Sequence, residues 1–196
     1  MTDWGTTPTL PELAFANCTA LQEVTLPDDM KVIGTGAFSG CAALTTVNLS
    51  QVTWINLNAF WGCTSLETLA LDNVTAIGQE AFYECTGLET LKIPKCTEFG
   101  NYIVTGCKAL TRIEAIAAGD FVHISDGSSI ERTAVFHNRT AHSGDNVFNP
   151  AKCDLVLNAD KQEGGGAVPT VSNSNGWTNA QYSGNPMKWK SITFGQ

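Results

Sequence analysis

Long hydrophobic runs are missing from this 196-residue chain. No stretch approaches the roughly 20 consecutive apolar residues that a membrane-spanning helix needs. Charge is scarce, with Asp, Glu, Lys and Arg making up 15% of the residues. Positive charge is scarcer still: Lys+Arg number 11 against 19 Asp+Glu, for a net charge of −8. That excludes nucleic acid as a default partner, because phosphate binding calls for a basic face. Histidine occurs only as His123, His137 and His142, and the last two are five apart, which misses the i, i+4 geometry of a helical zinc pair. The 7 cysteines include no Cys-x2-Cys pair of the kind structural zinc sites use. Their odd number prevents complete pairing within the chain. No phosphate-binding loop, Gly-x-Ser-x-Gly elbow or dinucleotide-binding glycine pattern is present, so no cofactor and no enzymatic activity are expected. What the chain does have is a hydrophobic share of 43%, which suits a buried core and argues against wholesale disorder.

The cysteines count out a repeat. Cys18, Cys41, Cys63, Cys85 and Cys107 are separated by 23, 22, 22 and 22 residues. Three after each stands Leu21, Leu44, Leu66, Leu88 and Leu110. Six after stands Val24, Val47, Leu69, Leu91 and Ile113; eight after, Leu26, Leu49, Leu71, Ile93 and Ala115. Three before stands Phe15, Phe38, Phe60, Phe82 and Val104; eight before, Leu10, Ile33, Ile55, Ile77 and Phe99. The spacing of two between the later apolar columns is strand spacing, so short strands are expected at about 23–26, 46–49, 68–71, 90–93 and 112–115. The intervening Ala-Phe-x-x-Cys segment is too short for a regular helix and predicts a turn or a single 3₁₀ turn. One repeat cannot bury its apolar side alone, whereas stacked repeats form a continuous core with Leu over Leu, Phe over Phe and Cys over Cys.

The unit is clearest in Ile77-Gly-Gln-Glu-Ala-Phe-Tyr-Glu-Cys85-Thr-Gly-Leu-Glu-Thr-Leu-Lys-Ile-Pro94. This resembles the BspA type of leucine-rich repeat, and the 22-residue period lies in the leucine-rich-repeat range. The resemblance covers about residues 10–116 and implies a right-handed solenoid of the α/β repeat type, made mostly of short β-strands with turns or 3₁₀ segments. It further implies a bacterial cell-surface or envelope protein, secreted or lipid-anchored, of the sort found in Bacteroides and Treponema relatives. Its expected work is adhesion or protein–protein recognition, including host matrix proteins. The fifth copy departs from the pattern, with Ile103-Val104 in place of Ala-Phe, as a repeat near the end of a solenoid does.

In this register Cys18, Cys41, Cys63, Cys85 and Cys107 form a structural core column of small apolar residues, reduced and packed. Adjacent coils stack at about 4.7–4.9 Å, too far apart for disulfides within one column. Cys96 shares a core column with Met30, Val52 and Val74. Cys153 lies outside the clear repeats, as core or as a free thiol. Residues 1–118 are assigned to a solenoid of about five repeats, and 119–196 to an irregular β-rich C-terminal cap packed on the last one. Phe121-Val122, Ile124, Val135-Phe136 and Val147-Phe148 are its expected anchors, Leu155-Val156-Leu157 and 189–194 its strands, and 161–176 a surface loop. Trp177 is a further aromatic anchor. Acidic side chains outnumber basic ones 12 to 5 in residues 1–118 and 7 to 6 in 119–196, so the repeats are read as acidic.

Two surfaces are candidates for ligand binding. One is the sheet face, where the outward columns are Glu23, Thr46, Thr68, Thr90, Arg112 and Thr25, Asn48, Ala70, Lys92, Glu114. Leucine-rich-repeat proteins tend to bind ligands there, and the extended surface suits it. The other is an aromatic pair, Trp61 and Tyr83, two residues before their cysteines and so expected on adjacent coils on the convex side. The expected partner is a protein, or a glycan seated on the aromatic pair; the alternative is a spacer or display scaffold for another domain. The sequons at Asn17, Asn48, Asn73 and Asn138 are read as coincidence, and the chain as a monomer. It opens Met1-Thr-Asp-Trp without the features of a signal peptide, so a surface, extracellular or periplasmic location presumes a leader removed, with a cytoplasmic location the alternative.

Overall fold

The computed structural model describes residues 7–116, 122–128, 135–136, 148–158, 181–182, 185–186 and 189–195. It is a parallel β-solenoid whose coils each contribute to two sheets. The expected strands form one side: β2 (Glu23–Val24), β4 (Thr46–Val47), β6 (Thr68–Ala70), β8 (Thr90–Ile93) and β10 (Arg112–Ile116). They lengthen from two residues in β2 to five in β10. Register follows the repeat, with Thr90 opposite Thr68 and Arg112 opposite Thr90. β2 pairs with β4, but β4 and β6 belong to separate sheets.

A second sheet lies on the other side of each coil and was not expected. Its strands are two residues long: β1 (Thr9–Leu10), β3 (Val32–Ile33), β5 (Trp54–Ile55), β7 (Ala76–Ile77), β9 (Glu98–Phe99) and β11 (Val122–His123). All pair parallel in chain order. Each of the first five places one inward residue of the Leu10, Ile33, Ile55, Ile77, Phe99 column in the core.

The expected turns occupy Ala-Phe-x-x-Cys, and the backbone explains their compactness. Two positions per coil turn left-handed, five residues and one residue before the cysteine. The first column holds Leu13, Gly36, Asn58, Glu80 and Tyr102; the second holds Asn17, Gly40, Gly62, Glu84 and Gly106, with φ between 54° and 79°. Glycine and asparagine adopt this region at little cost, which is why they recur here. At Gly62 an added Cβ would meet only the Gly40 Cα, 4.0 Å away. Gly62→Ala is therefore expected to cost about 1 kcal/mol from backbone strain alone. Gly62→Asn should cost less, and equal urea midpoints for the two variants would refute the assignment.

Between the sheets Phe15, Phe38, Phe60 and Phe82 stack ring on ring, with centroids 5.3, 5.1 and 5.9 Å apart. Leu44, Leu66, Leu88 and Leu110 line the same interior. Cys96 and Cys153 are buried.

One expectation is corrected. Cys18 is exposed, unlike the other six cysteines, because no described coil lies on its outer side; Ala14 there is exposed and Phe15 half-buried. In the described part of 119–196, two strands join the repeat ladder. β12 (Asp154–Asn158) pairs parallel with β10, and β15 (Ser191–Gly195) pairs parallel with β12, so both extend the first sheet. Leu155 and Leu157 continue the inward columns beside Ile113 and Ala115. The 3₁₀ turn Pro150–Lys152, capped by the Asn149 side chain, leads into β12. β13 (Gln181–Tyr182) and β14 (Asn185–Pro186) form a small antiparallel pair. Val135, Phe136 and Phe148 are buried anchors as expected, while Val122 and Ile124 are half-buried. Phe121, Val147, Trp177, His137, His142, Asn138 and the 161–176 loop lie outside the described residues.

Candidate functional site

The repeat register brings Trp61 and Tyr83 together. Their rings lie 6.1 Å apart, tilted by 39°. The backbone sets this spacing, since the Gly62 N–H donates to the Tyr83 carbonyl across the coils. Trp61 is 41% exposed, and Tyr83 is half-buried. Sequence reasoning missed the neighbours: Trp54 on β5 and Leu57 in the following turn are also exposed. Among the described residues, three of the four large exposed hydrophobic side chains thus fall within 54–61, the fourth being Leu13. The signal for Trp54 was available once β5 was placed, because it alternates with the buried Ile55.

The sheet face divides differently than its columns suggested. Glu23, Thr46, Thr68 and Ala70 are exposed and Thr90 is half-buried. Asn48 is not a free ligand-binding group: its amide Nδ2 donates to the Leu26 carbonyl at 3.0 Å while its Oδ1 accepts from the Leu26 N–H, so it ties two coils together. Glu114 is held by two cations, accepting from Arg112 Nε at 2.9 Å and lying 3.6 Å from Lys92 Nζ. Beside it Asp154 accepts from Lys190 Nζ and from Ser191 Oγ, both at 2.6 Å. Those two bonds, the lysine's first, hold the Asp154 carboxyl below the usual carboxylate range. Where β4 and β6 part, Thr45, Ser65, Glu67 and Thr68 line a shallow open hollow.

The cysteine column has a backbone partner. Cys41, Cys63, Cys85 and Cys107 each donate their S–H to the carbonyl of the phenylalanine in the preceding coil, at 3.0 to 3.2 Å. Phe15, Phe38, Phe60 and Phe82 each also accept the N–H of the cysteine in their own coil. Both lone pairs of these buried carbonyls are therefore used, a demand alanine cannot meet. Burial pushes the thiols of Cys63, Cys85, Cys96 and Cys107 far up, and that of Cys153 up to about 12. A nucleophilic cysteine needs the opposite shift.

At the end of β11 the turn gathers His123, Ser125 and Asp126. Ser125 Oγ lies 2.7 Å and Asp126 Oδ1 3.5 Å from the same ring nitrogen, Nδ1. A Ser-His-Asp triad needs the hydroxyl and the carboxylate on opposite nitrogens. Asp126 is instead engaged by the Ser128 N–H and hydroxyl, which lower its pKa, so the cluster reads as a turn cap. Among the described residues no three His, Cys, Asp or Glu converge to hold a metal ion, and no helix is long and apolar enough to cross a membrane.

A repeating 22-residue coil with a parallel ladder of strands on its core side defines a leucine-rich-repeat solenoid. Within that class the chain belongs to the BspA type Leucine rich repeat region family, which matches residues 5–114 in 6 copies. A leucine-rich repeat protein of T. pallidum is similar over 58% of this chain and 55% of its own, at 28% identity and a TM-score of 0.53. The pneumococcal vaccine antigen PcpA is similar in fold over 97% of this chain and 40% of its own, at 16% identity and a TM-score of 0.58. The chain therefore spans about half the length of the first relative and less of the second. Comparison with curated protein sequences finds no match. Members of the family are generally repeat modules without enzymatic activity.

Proposed function

We propose that this protein is a non-enzymatic binding module at a bacterial cell surface, acting as a monomer that recognises a protein partner, a host matrix protein being the leading candidate. The observation that carries the reading is the exposure of Trp54, Leu57 and Trp61 along one coil, with Tyr83 beside Trp61. Exposed apolar clusters on an otherwise polar surface mark contact sites, and tryptophan and tyrosine are the side chains most often found at binding hot spots. A surface location agrees with the family.

A glycan is the second reading, favoured by the tilted Trp61–Tyr83 pair, whose faces suit the C–H faces of a sugar ring. Replacing both aromatics by serine tests either reading. The double variant should stay folded and lose no more than about 2 kcal/mol of stability by urea denaturation, because Trp61 is exposed and Tyr83 only half-buried. It should lose at least tenfold in affinity in a panel of immobilised matrix proteins and glycans. Wild-type protein that captures nothing above background across both panels would instead support the spacer role.

A further inference from the structure

The side of the solenoid that carries β2, β4 and the β6–β15 sheet is electrically polarised along the solenoid axis. The first three coils contribute Glu23, Asp28, Asp29, Glu67 and Asp72 to the strands and the turns that bound them, against one cation, Lys31, whose ammonium donates to the Gln51 carbonyl in the turn after β4. The later coils contribute Lys92, Lys95, Lys108, Arg112, Lys152 and Lys190 against Glu89, Glu114 and Asp154. The repeats are acidic in sum, but the charge on this face is unevenly placed. The cause is topological: β12 and β15 join the sheet in parallel, and Lys190 arrives beside Asp154, which stands opposite Arg112.

From this juxtaposition we infer that the C-terminal end of the sheet is a docking surface for a carboxylate-rich protein segment. Lys92, Arg112 and Lys190 are its contact groups, with side chains 40%, 45% and 56% exposed. Glu114 and Asp154 position them. Glu114 engages Arg112 through Nε, the inner guanidinium nitrogen, which leaves the outer fork to grip a ligand carboxylate bidentately. From β8 to β15 is three strand spacings, roughly 14 Å, which matches about four residues of an extended chain laid across the strands. The acidic end decides the class of partner. A uniformly charged polyanion is repelled from the half that carries Glu23 and Glu67, where carboxylates outnumber cations, whereas a protein carries both signs and satisfies both halves. The sheet face between β6 and β15 also offers no aromatic platform among the described outward residues, as a sugar would favour.

The test uses the whole chain and a fluorescent ten-residue acidic peptide with four alternating Asp and Glu at one end, neutral residues between and two Lys at the other end, with a peptide of neutral composition and heparin as comparators. Fluorescence anisotropy should show the acidic peptide bound, with affinity falling about tenfold between roughly 50 and 300 mM salt. Arg112→Gln, Lys92→Gln and Lys190→Gln should each weaken it, and the Lys92→Gln/Lys190→Gln pair by about tenfold or more. If Arg112→Gln fails to fold, the lysine pair still decides. Lys31→Gln, in the first three coils, should not weaken it. Binding of heparin without the acidic peptide, equal binding of the neutral peptide, unchanged binding by the lysine pair, or no binding of the acidic peptide would each overturn the inference.

Discussion

Phe60→Ala is expected to lose roughly 3–5 kcal/mol of folding stability, the range for removing a buried aromatic side chain. Phe60 is fully buried, and its ring touches two others, with Phe38 at 5.1 Å and Phe82 at 5.9 Å. In a solenoid each coil is stabilised by its neighbours, so a cavity in a middle coil weakens two interfaces at once. The turn cannot collapse to fill it, because the Phe60 backbone is pinned at both groups: its N–H donates to the Ala81 carbonyl, and its carbonyl accepts from Cys63 N–H and Cys85 Sγ. Phe15→Ala offers the internal control. Phe15 is half-buried and stacks on one ring only among the described residues, Phe38 at 5.3 Å. Its loss should cost less than half as much. Urea denaturation of the two variants decides the matter; equal costs would mean that the ladder is not a continuous core.

That contrast also marks what the sequence could and could not disclose. Phase alone located the Phe, Leu and Cys columns and put Trp61 beside Tyr83, because a 22-residue period fixes which side chains neighbour each other on successive coils. Phase does not say what lies beyond the first coil, and so Cys18 was placed inside when it is exposed. The second sheet escaped notice because its strands are two residues long, with one inward residue each, and two residues carry no alternation. β12 was readable as a strand from Leu155-Val156-Leu157, but its partner was not: the chain returns to the sheet after 42 residues, from Arg112 to Asp154, and that interval leaves no repeat to follow. The polarity of the sheet face was hidden for the same reason. Summed over residues 1–118 the charge is acidic, and only the pairing of β10, β12 and β15 collects Arg112 and Lys190 at one end. Asn48 sat in an outward column and was read as a contact residue, since spacing cannot tell an amide facing a ligand from one facing the backbone of the next coil.

Raising the pH should unfold the protein with unusual sensitivity, and the cysteine column supplies the reason. Cys63, Cys85, Cys96, Cys107 and Cys153 are all buried, and burial is the largest cause of the upward shift in each. An unfolded thiol ionises near pH 8.5, whereas the folded Cys153 thiol waits until about pH 12. A group whose folded pKa is the higher one holds its proton in the fold and releases it on unfolding. Its stabilising contribution is complete below pH 8.5 and declines as pH rises towards the folded value. At pH 9.5 each such thiol has given up about 1 kcal/mol, so the five together withdraw several kcal/mol. That is comparable with the whole stability of a typical domain, roughly 5–15 kcal/mol. Urea midpoints measured from pH 7 to pH 10 should therefore fall steeply above pH 8.5, and cooperative unfolding should occur near pH 9.5–10 in dilute denaturant. A Cys85→Ala/Cys107→Ala variant separates this cause from lysine or tyrosine titration. It starts less stable, having lost two S–H···O bonds and two buried sulfurs, yet its decline with pH should be shallower, by a slope approaching one proton for each thiol removed at the alkaline end. A pH profile parallel to that of the wild type would show that the buried thiols do not govern the alkaline limit of this fold.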